Sequence, residues 1–316
     1  MAVPGTGRSY VAYPVNAYIQ TQIDGLLEEY VFLESYFYIG INSSLNHNGS
    51  DWIKKFIIME QHKKAHIIAI IPARYGSSRF PGKPLAKIHG KTLIQHTYEN
   101  TIRCKDLDRV IIATDDQRIY DHIKTFSDDV MMTPENCLTG TDRLAFVLQH
   151  QPKLQKASVI INVQGDEPCL DPAIISGLAK MLESDTSAVM STAVVKIKNE
   201  EEALSPSEVK CVLSLDGTVL YFSRSLIPGS QKPGYQKDTH YYKHLGIYAY
   251  RPDFLLKYAT LSPTPLQMTE DLEQLRVLEY GYKIKAVIVN STSTGVNTPE
   301  DVKKVEQELC KQNLFS

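Results

Sequence analysis

From residue 66 onward the chain alternates between short unbroken apolar runs and longer stretches with helical spacing. The run 66–71 (HIIAII) is continuous and rich in isoleucine, which predicts a strand covered on both faces. A glycine- and proline-rich loop follows at 75–84, then a helix around Leu93–Ile102. Residues 109–115 (RVIIATD) predict a second strand ending in acids, with a helix near Arg118–Phe126 behind it. DVMMT (129–133) reads as a third strand, Thr141–Gln149 as a helix, and SVIINVQGDEP (158–168) as a fourth strand with its C-terminal loop. Strands and helices alternating at this spacing predict an α/β fold with a doubly wound, mostly parallel sheet. In such sheets ligands bind outside the carboxyl ends of the strands, and the loops 73–84 and 164–168 both fall on that edge.

The second half changes pattern. Residues 209–224 hold two β-type runs around Asp216–Gly217, a hairpin signal, and 244–251 (HLGIYAYR) predicts another strand. Helices are expected near Asp253–Tyr258 and Thr269–Tyr280, a strand at 282–289 and a closing helix over Thr298–Cys310. A smaller mixed α+β lobe at about 191–280 is therefore expected within a domain running from 61 to 316. Residues 1–60 differ, being rich in tyrosine and asparagine. They read as a poorly ordered extension, with some helix from Ile23 to about Tyr36, or as the product of a start placed upstream of a true start at Met59, with a docking or membrane-surface arm as the alternative.

Composition narrows the partners. The 316 residues carry a formal charge of −2, which argues against a surface built for duplex nucleic acid. No apolar run reaches 18 residues, so no membrane-spanning helix is expected, and the N-terminus lacks a secretory signal pattern. The five cysteines are scattered without a C-x-x-C pair, as befits separate thiols in a reducing, cytoplasmic setting.

The chemistry concentrates in a few loops. PARYGSSRFPGKP (72–84) sets Arg74, Arg79 and Lys83 directly after a buried strand, with Gly76 and Gly82 to let backbone approach a ligand and Ser77 and Ser78 as further donors. A triphosphate needs such cations and amides to neutralise a departing pyrophosphate. No G-x-G-x-x-G follows the first strand, and Gly90-Lys91-Thr92 lacks the upstream glycine of a P-loop, which disfavours a dehydrogenase or P-loop kinase. Asp166 and Glu167 in VQGDEP (163–168) suit Mg²⁺ held against phosphates; a capped turn with exposed acids fits them equally well. Thr141, Asp142 and Arg143 follow Thr139-Gly140, either to open a helix or to read a base.

With these residues in view, the chain resembles the 3-deoxy-manno-octulosonate (KDO) cytidylyltransferase family of nucleotide-diphospho-sugar transferase-like folds. IPARYGSSRFPGKPL, TGTDRL, NVQGDEP, YFSRSLIP, HLGIYAYR, EDLEQLRVLE and GVNTPED occur in the family's order from about 66 to 310. The resemblance implies transfer of CMP from CTP to the anomeric hydroxyl of an acidic eight-carbon sugar for lipopolysaccharide, with Mg²⁺ as cofactor and a homodimer as assembly. It implies that Arg74, Arg79 and Lys83 bind the CTP phosphates, that Thr141, Asp142 and Arg143 lie near the cytosine, and that Asp166 is a magnesium ligand. Sugar contacts would come from Gln164, Arg224, His244, Tyr248, Glu273 and Gln274. His244 and Tyr248, four apart in a strand, share a face. Glu273 and Gln274 fall on a helix whose Leu272, Leu275 and Leu278 mark a core face. One position departs from the family: Asn297 stands where an aspartate is the expected second metal ligand, leaving a neutral amide oxygen for a hard cation. The competing readings are a cytidylyltransferase for another acidic sugar and a catalytically silent nucleotide-binding relative.

Overall fold

The structure is a computed structural model, and it describes residues 66–76, 79–137, 139–290 and 294–311. The expectations for residues 1–60, including the helix from Ile23 and the start at Met59, and those for Ser77 and Ser78 lie outside the described residues.

The strands are β1 (Ile67–Ala73), β2 (Lys87–Ile88), β3 (Lys91–Thr92), β4 (Arg109–Thr114), β5 (Val130–Met132), β6 (Val159–Asn162), β7 (Ala188–Lys196), β8 (Lys210–Leu213), β9 (Val219–Ser223), β10 (Tyr242–Tyr250) and β11 (Lys283–Val289). The helices are α1 (Leu93–Thr101), α2 (Gln117–Ile123), α3 (Gly140–His150), α4 (Pro172–Ser184), α5 (Glu200–Leu204), α6 (Pro252–Tyr258), α7 (Pro265–Glu270), α8 (Leu275–Glu279) and α9 (Asp301–Lys311). The main sheet runs β11-β7-β10-β6-β1-β4-β5, with the β8–β9 hairpin joined to β10. β10 is antiparallel to both neighbours, and the other pairs along this path are parallel. The chain moves outward from β1 to β4 and β5, then returns to lay β6 on the other side of β1. The crevice between β1 and β6 is thus the topological switch point.

The unbroken apolar run of β1 has a direct cause. Ile68 and Ile70 enter one core with Leu144 and Leu148 of α3 and Phe254 of α6. Ile67, Ala69 and Ile71 enter the opposite core with Ile94 of α1, Ile119 of α2 and Ile174 of α4. Both faces are covered, so alternation with polar residues has no place in this strand.

The segment 191–280, expected as a smaller lobe, supplies most of β7 and all of β10 to the main sheet, and residues 65–316 form one compact unit. The single helix expected over Thr269–Tyr280 is two helices. Asp271 takes a left-handed conformation (φ 52) and ends α7, so Glu273 and Gln274 sit in the turn before α8 instead of on a helix. The closing helix starts at Asp301, three residues later than expected, because the first turn is occupied by a cap. Asp301 Oδ2 accepts from the amides of Asn297 and Thr298 at 3.1 and 3.0 Å and from the Thr298 hydroxyl at 3.2 Å.

Candidate active site

The loop after β1 is shaped by a glycine and closed on itself. Gly82 has φ 71, which is open to glycine at little cost, and donates its amide to the Tyr75 carbonyl at 2.9 Å. The Tyr75 ring lies against Gly82, with the Arg118 guanidinium 3.4 Å from its centroid on a face. Arg118 is itself held by Asp116, the cap of α2. This folding leaves Arg74 and Arg79 exposed, with no partner among the described residues. Lys83 is the first residue of a short 3₁₀ turn (Lys83–Leu85).

Lys83 joins the loop to the acidic turn after β6. Its Nζ donates to Asp166 Oδ2 at 2.5 Å and to the Val296 carbonyl at 2.9 Å. The Val296 amide in turn donates to the Asp166 carbonyl at 2.9 Å, which fixes the 295–297 segment beside the turn. A Cβ on Gly165 would lie 2.7 Å from the Pro72 carbonyl, so only glycine lets this turn pass so close to the end of β1. From below, α1 holds the turn: Thr97 donates to the Gly165 carbonyl at 3.1 Å and Asn100 to the Leu170 carbonyl at 2.5 Å. Gln164 is partly exposed at the crevice.

The donor set here suits Mg²⁺ that takes most of its ligands from substrate and water. Asp166 offers one partly exposed carboxylate, with its Oδ1 unbonded, and the exposed Asn297 lies one residue beyond Val296. No cluster of three or more acid, histidine or cysteine ligands occurs among the described residues. Asp301 is committed to its cap and contributes no further donor to the set.

The other expected site residues are largely bonded to one another. Asp142 and Thr139 form a reciprocal capping box at the start of α3, each bond 3.1 Å. Arg143, 2% exposed, pairs with Asp115 at 2.6 Å and donates to Thr133. Thr141 donates to Glu273 Oε1 at 3.1 Å and lies 3.4 Å from the Tyr250 hydroxyl. Tyr248 donates to Gln274 Oε1 at 3.3 Å, and Tyr258 to the Glu273 carbonyl at 3.1 Å. The break at Asp271 is what turns Glu273 and Gln274 inward to meet these partners. Burial raises the Glu273 carboxyl above the usual carboxylate range and holds the Tyr248 phenol well above its ordinary value.

His244 and Tyr248 share a face as expected, with ring centroids 5.3 Å apart, although β10 carries a register shift between Leu245 and Tyr248. Two residues, Gly246 and Ile247, are inserted there, and an even insertion preserves the alternation. His244 Nε2 lies 2.9 Å from Thr192 Oγ1, whose single proton goes to the Ile247 carbonyl at 2.8 Å. The ring therefore donates from Nε2, and burial lowers its pKa to about 3, so it stays neutral. The Arg224 guanidinium donates to the carbonyls of Glu270, Pro206 and Asp271 at 2.7, 3.2 and 3.2 Å, and the residue's own carbonyl accepts from the buried Lys210 at 2.6 Å. Sequence reasoning missed Asp115 and Thr133, which hold Arg143, and Asn162, the one amide in an otherwise apolar β6.

A switch-point crevice with three cations on one loop, facing an acidic turn, defines a nucleotidyltransferase. The cytidylyltransferase family pattern matches residues 68–284, and the chain belongs to the cytidylyltransferase family. It is 54% identical over 249 residues to the 3-deoxy-manno-octulosonate cytidylyltransferase of Protochlamydia amoebophila (79% of this chain, 96% of that one). It is 46% identical over 251 residues to the mitochondrial protein of that name from Arabidopsis thaliana (79% and 86%). Among solved structures, a CMP:2-keto-3-deoxy-manno-octonic acid synthetase complexed with CTP superimposes with a TM-score of 0.73 at 37% identity, covering 78% of this chain and all of that one. A 4-diphosphocytidyl-2C-methyl-D-erythritol synthase from Anaerococcus prevotii shares the fold at 14% identity and a TM-score of 0.54, covering 79% and 99%.

Proposed function

We propose that this chain transfers CMP from CTP to the anomeric hydroxyl of 3-deoxy-manno-octulosonate, releasing pyrophosphate. What carries the reading is the pair of exposed arginines, Arg74 and Arg79, without partners among the described residues, beside the Lys83–Asp166 contact at the switch point of a chain 54% identical to a protein so named. The anomeric oxygen bonds to the α-phosphorus, the bond from that phosphorus to the bridging oxygen breaks, and the hydroxyl proton passes to solvent. Arg74 and Arg79 take up the charge that gathers on the leaving pyrophosphate. Lys83 reaches the same phosphates while staying tied to the acidic turn. Tyr248, Gln274 and Glu273 orient the sugar with groups fixed in advance by their mutual bonds. Asp166 and Asn297 would hold Mg²⁺, which supplies positive charge to the non-bridging phosphate oxygens when bound.

A homodimer and a cytoplasmic setting belong to the same reading, as does a product destined for lipopolysaccharide. Exposed apolar side chains at Leu220, Leu266 and Met268 offer surface for self-association. Pyrophosphate release from CTP and Mg²⁺ with KDO, compared with sialic acid, tests the reaction. Turnover with KDO alone is expected. Preference for sialic acid, or CTP binding without turnover on either sugar, would overturn it.

A further inference from the structure

Asn162 ends β6 at the switch point. It is wholly enclosed, and neither its amide oxygen nor its amide nitrogen has a hydrogen-bond partner among the described residues. An apolar residue of similar volume would fill the position without that cost, since an unpaired buried amide loses its water bonds and regains none. Native proteins carry few such groups, and each has a cause.

A second orphan lies on the same face of the sheet. Among the described residues, the buried Glu273 Oε2 makes no hydrogen bond at ordinary distance, although the Thr139 hydroxyl is near the carboxyl, while Oε1 accepts from Thr141. Two routes connect the orphans. Asn162 is the register partner of Tyr248, whose hydroxyl donates to Gln274, the residue after Glu273. Thr141 follows Gly140, whose Cβ position would be 3.8 Å from Asn162 Nδ2.

Charge decides what fits between them. The N-terminus of the 11-residue α3 favours an anion, but Asp142 and Glu273 already place two carboxylates against it. A third anion is disfavoured. A neutral hydroxyl is favoured, because it accepts from an amide N–H and donates to an amide or carboxylate oxygen. An amide and a carboxylate oxygen on one face together match adjacent hydroxyls on a carbon chain.

We propose that Asn162 is a further specificity-determining residue, whose amide hydrogen-bonds the hydroxyl-bearing end of the sugar acid while Glu273 Oε2 accepts from a neighbouring hydroxyl. This rests on the reading of the chain as a sugar-acid cytidylyltransferase. The sugar's carboxylate then points away from α3.

Asn162→Leu separates this role from a packing role. With KDO varied at saturating CTP, and CTP varied at saturating KDO, the KM for the sugar should rise tenfold or more. The KM for CTP should stay within twofold, and Tm should hold or increase. A sugar KM within twofold of wild type overturns the proposal, and so does an equal rise in both KM values. If leucine prevents folding, Asn162→Ser is measured for the same split. Wild-type turnover of KDO is the control; its absence sinks the functional reading and this inference with it, whereas an active wild type with an unaltered variant sinks this inference alone.

Discussion

The two ends of the crevice are built on opposite plans. At the end proposed for the phosphates, Arg74 and Arg79 stand exposed without partners among the described residues, and Lys83 spans between loops. At the end proposed for the sugar, the side chains are drawn into the fold: Tyr248 bonds to Gln274, Glu273 accepts from Thr141, and His244 pairs with Thr192. The contrast follows from the ligands. Phosphates carry dense charge and are met by cations that water keeps soluble until binding. Hydroxyls are weak ligands, and selecting them takes donors and acceptors held still beforehand.

The sharpest way to break this comparison is to remove one exposed or loop-bridging cation and, separately, the enclosed cation Arg143, which pairs with Asp115. Lys83→Ala or Arg79→Ala should lower turnover roughly 30- to 1,000-fold, the scale for losing one preorganised donor, with little change in the denaturation midpoint. Arg143→Met should do the reverse. It strands Asp115 in a mostly buried position, which costs about 3–5 kcal/mol of stability, read as a shift in the urea midpoint. If Arg143→Met stays as stable as wild type and loses turnover instead, Arg143 belongs with the phosphate-end cations.

The contrast also governs what the sequence reveals. The phosphate end is legible because its cations and glycines crowd into ten consecutive residues after an unbroken apolar run, and the local turn sets their posture. At the sugar end, the roles of Glu273 and Gln274 depend on a left-handed Asp271 that the spacing of Leu272, Leu275 and Leu278 does not announce. The pairing of Arg143 with Asp115 joins residues 28 apart. β7 escaped notice because Ser191 and Thr192 interrupt its apolar run. Both are buried, and their hydroxyls are satisfied by the Leu178 and Ile247 carbonyls, bonds that only the packed fold supplies.

Acidity probes the enclosed end with two groups of opposite sign. Burial raises the Glu273 pKa, so its ionised form weakens the fold, an effect that sets in above the unfolded value near 4.5 and grows as pH rises toward the raised folded pKa. Glu273→Gln keeps the oxygen that accepts from Thr141 and removes the charge. Its Tm should exceed that of wild type at pH 7, with the gain shrinking as pH falls toward 4.5. His244, lowered to about 3, refuses a proton that the unfolded chain accepts below 6.5, so the fold loses stability as pH drops from 6.5 toward 3. His244→Gln should flatten that loss. A Glu273→Gln protein less stable than wild type at pH 7 would mean that the carboxylate is compensated where it lies.

The smallest expected effect sits at the border of the two ends, at Asn297. Its side chain is exposed and unbonded among the described residues, while Asp301 spends its carboxylate on the amides of Asn297 and Thr298. With Asp301 held in its cap, Asn297 is the residue at the expected second-ligand position that could add a protein oxygen toward Mg²⁺ beside the Asp166–Glu167 turn. A neutral amide oxygen binds a hard cation less well than a carboxylate, but substrate phosphates carry most of the ligation. Asn297→Asp should thus lower the Mg²⁺ concentration for half-maximal turnover by roughly two- to tenfold, the size expected for one added charge at a solvated site. Turnover at saturating Mg²⁺ should barely change. Mn²⁺ binding to the protein without nucleotide, followed by electron paramagnetic resonance, should tighten in parallel. If neither quantity moves, residue 297 faces away from the ion, and Asp166 holds it with substrate and water alone.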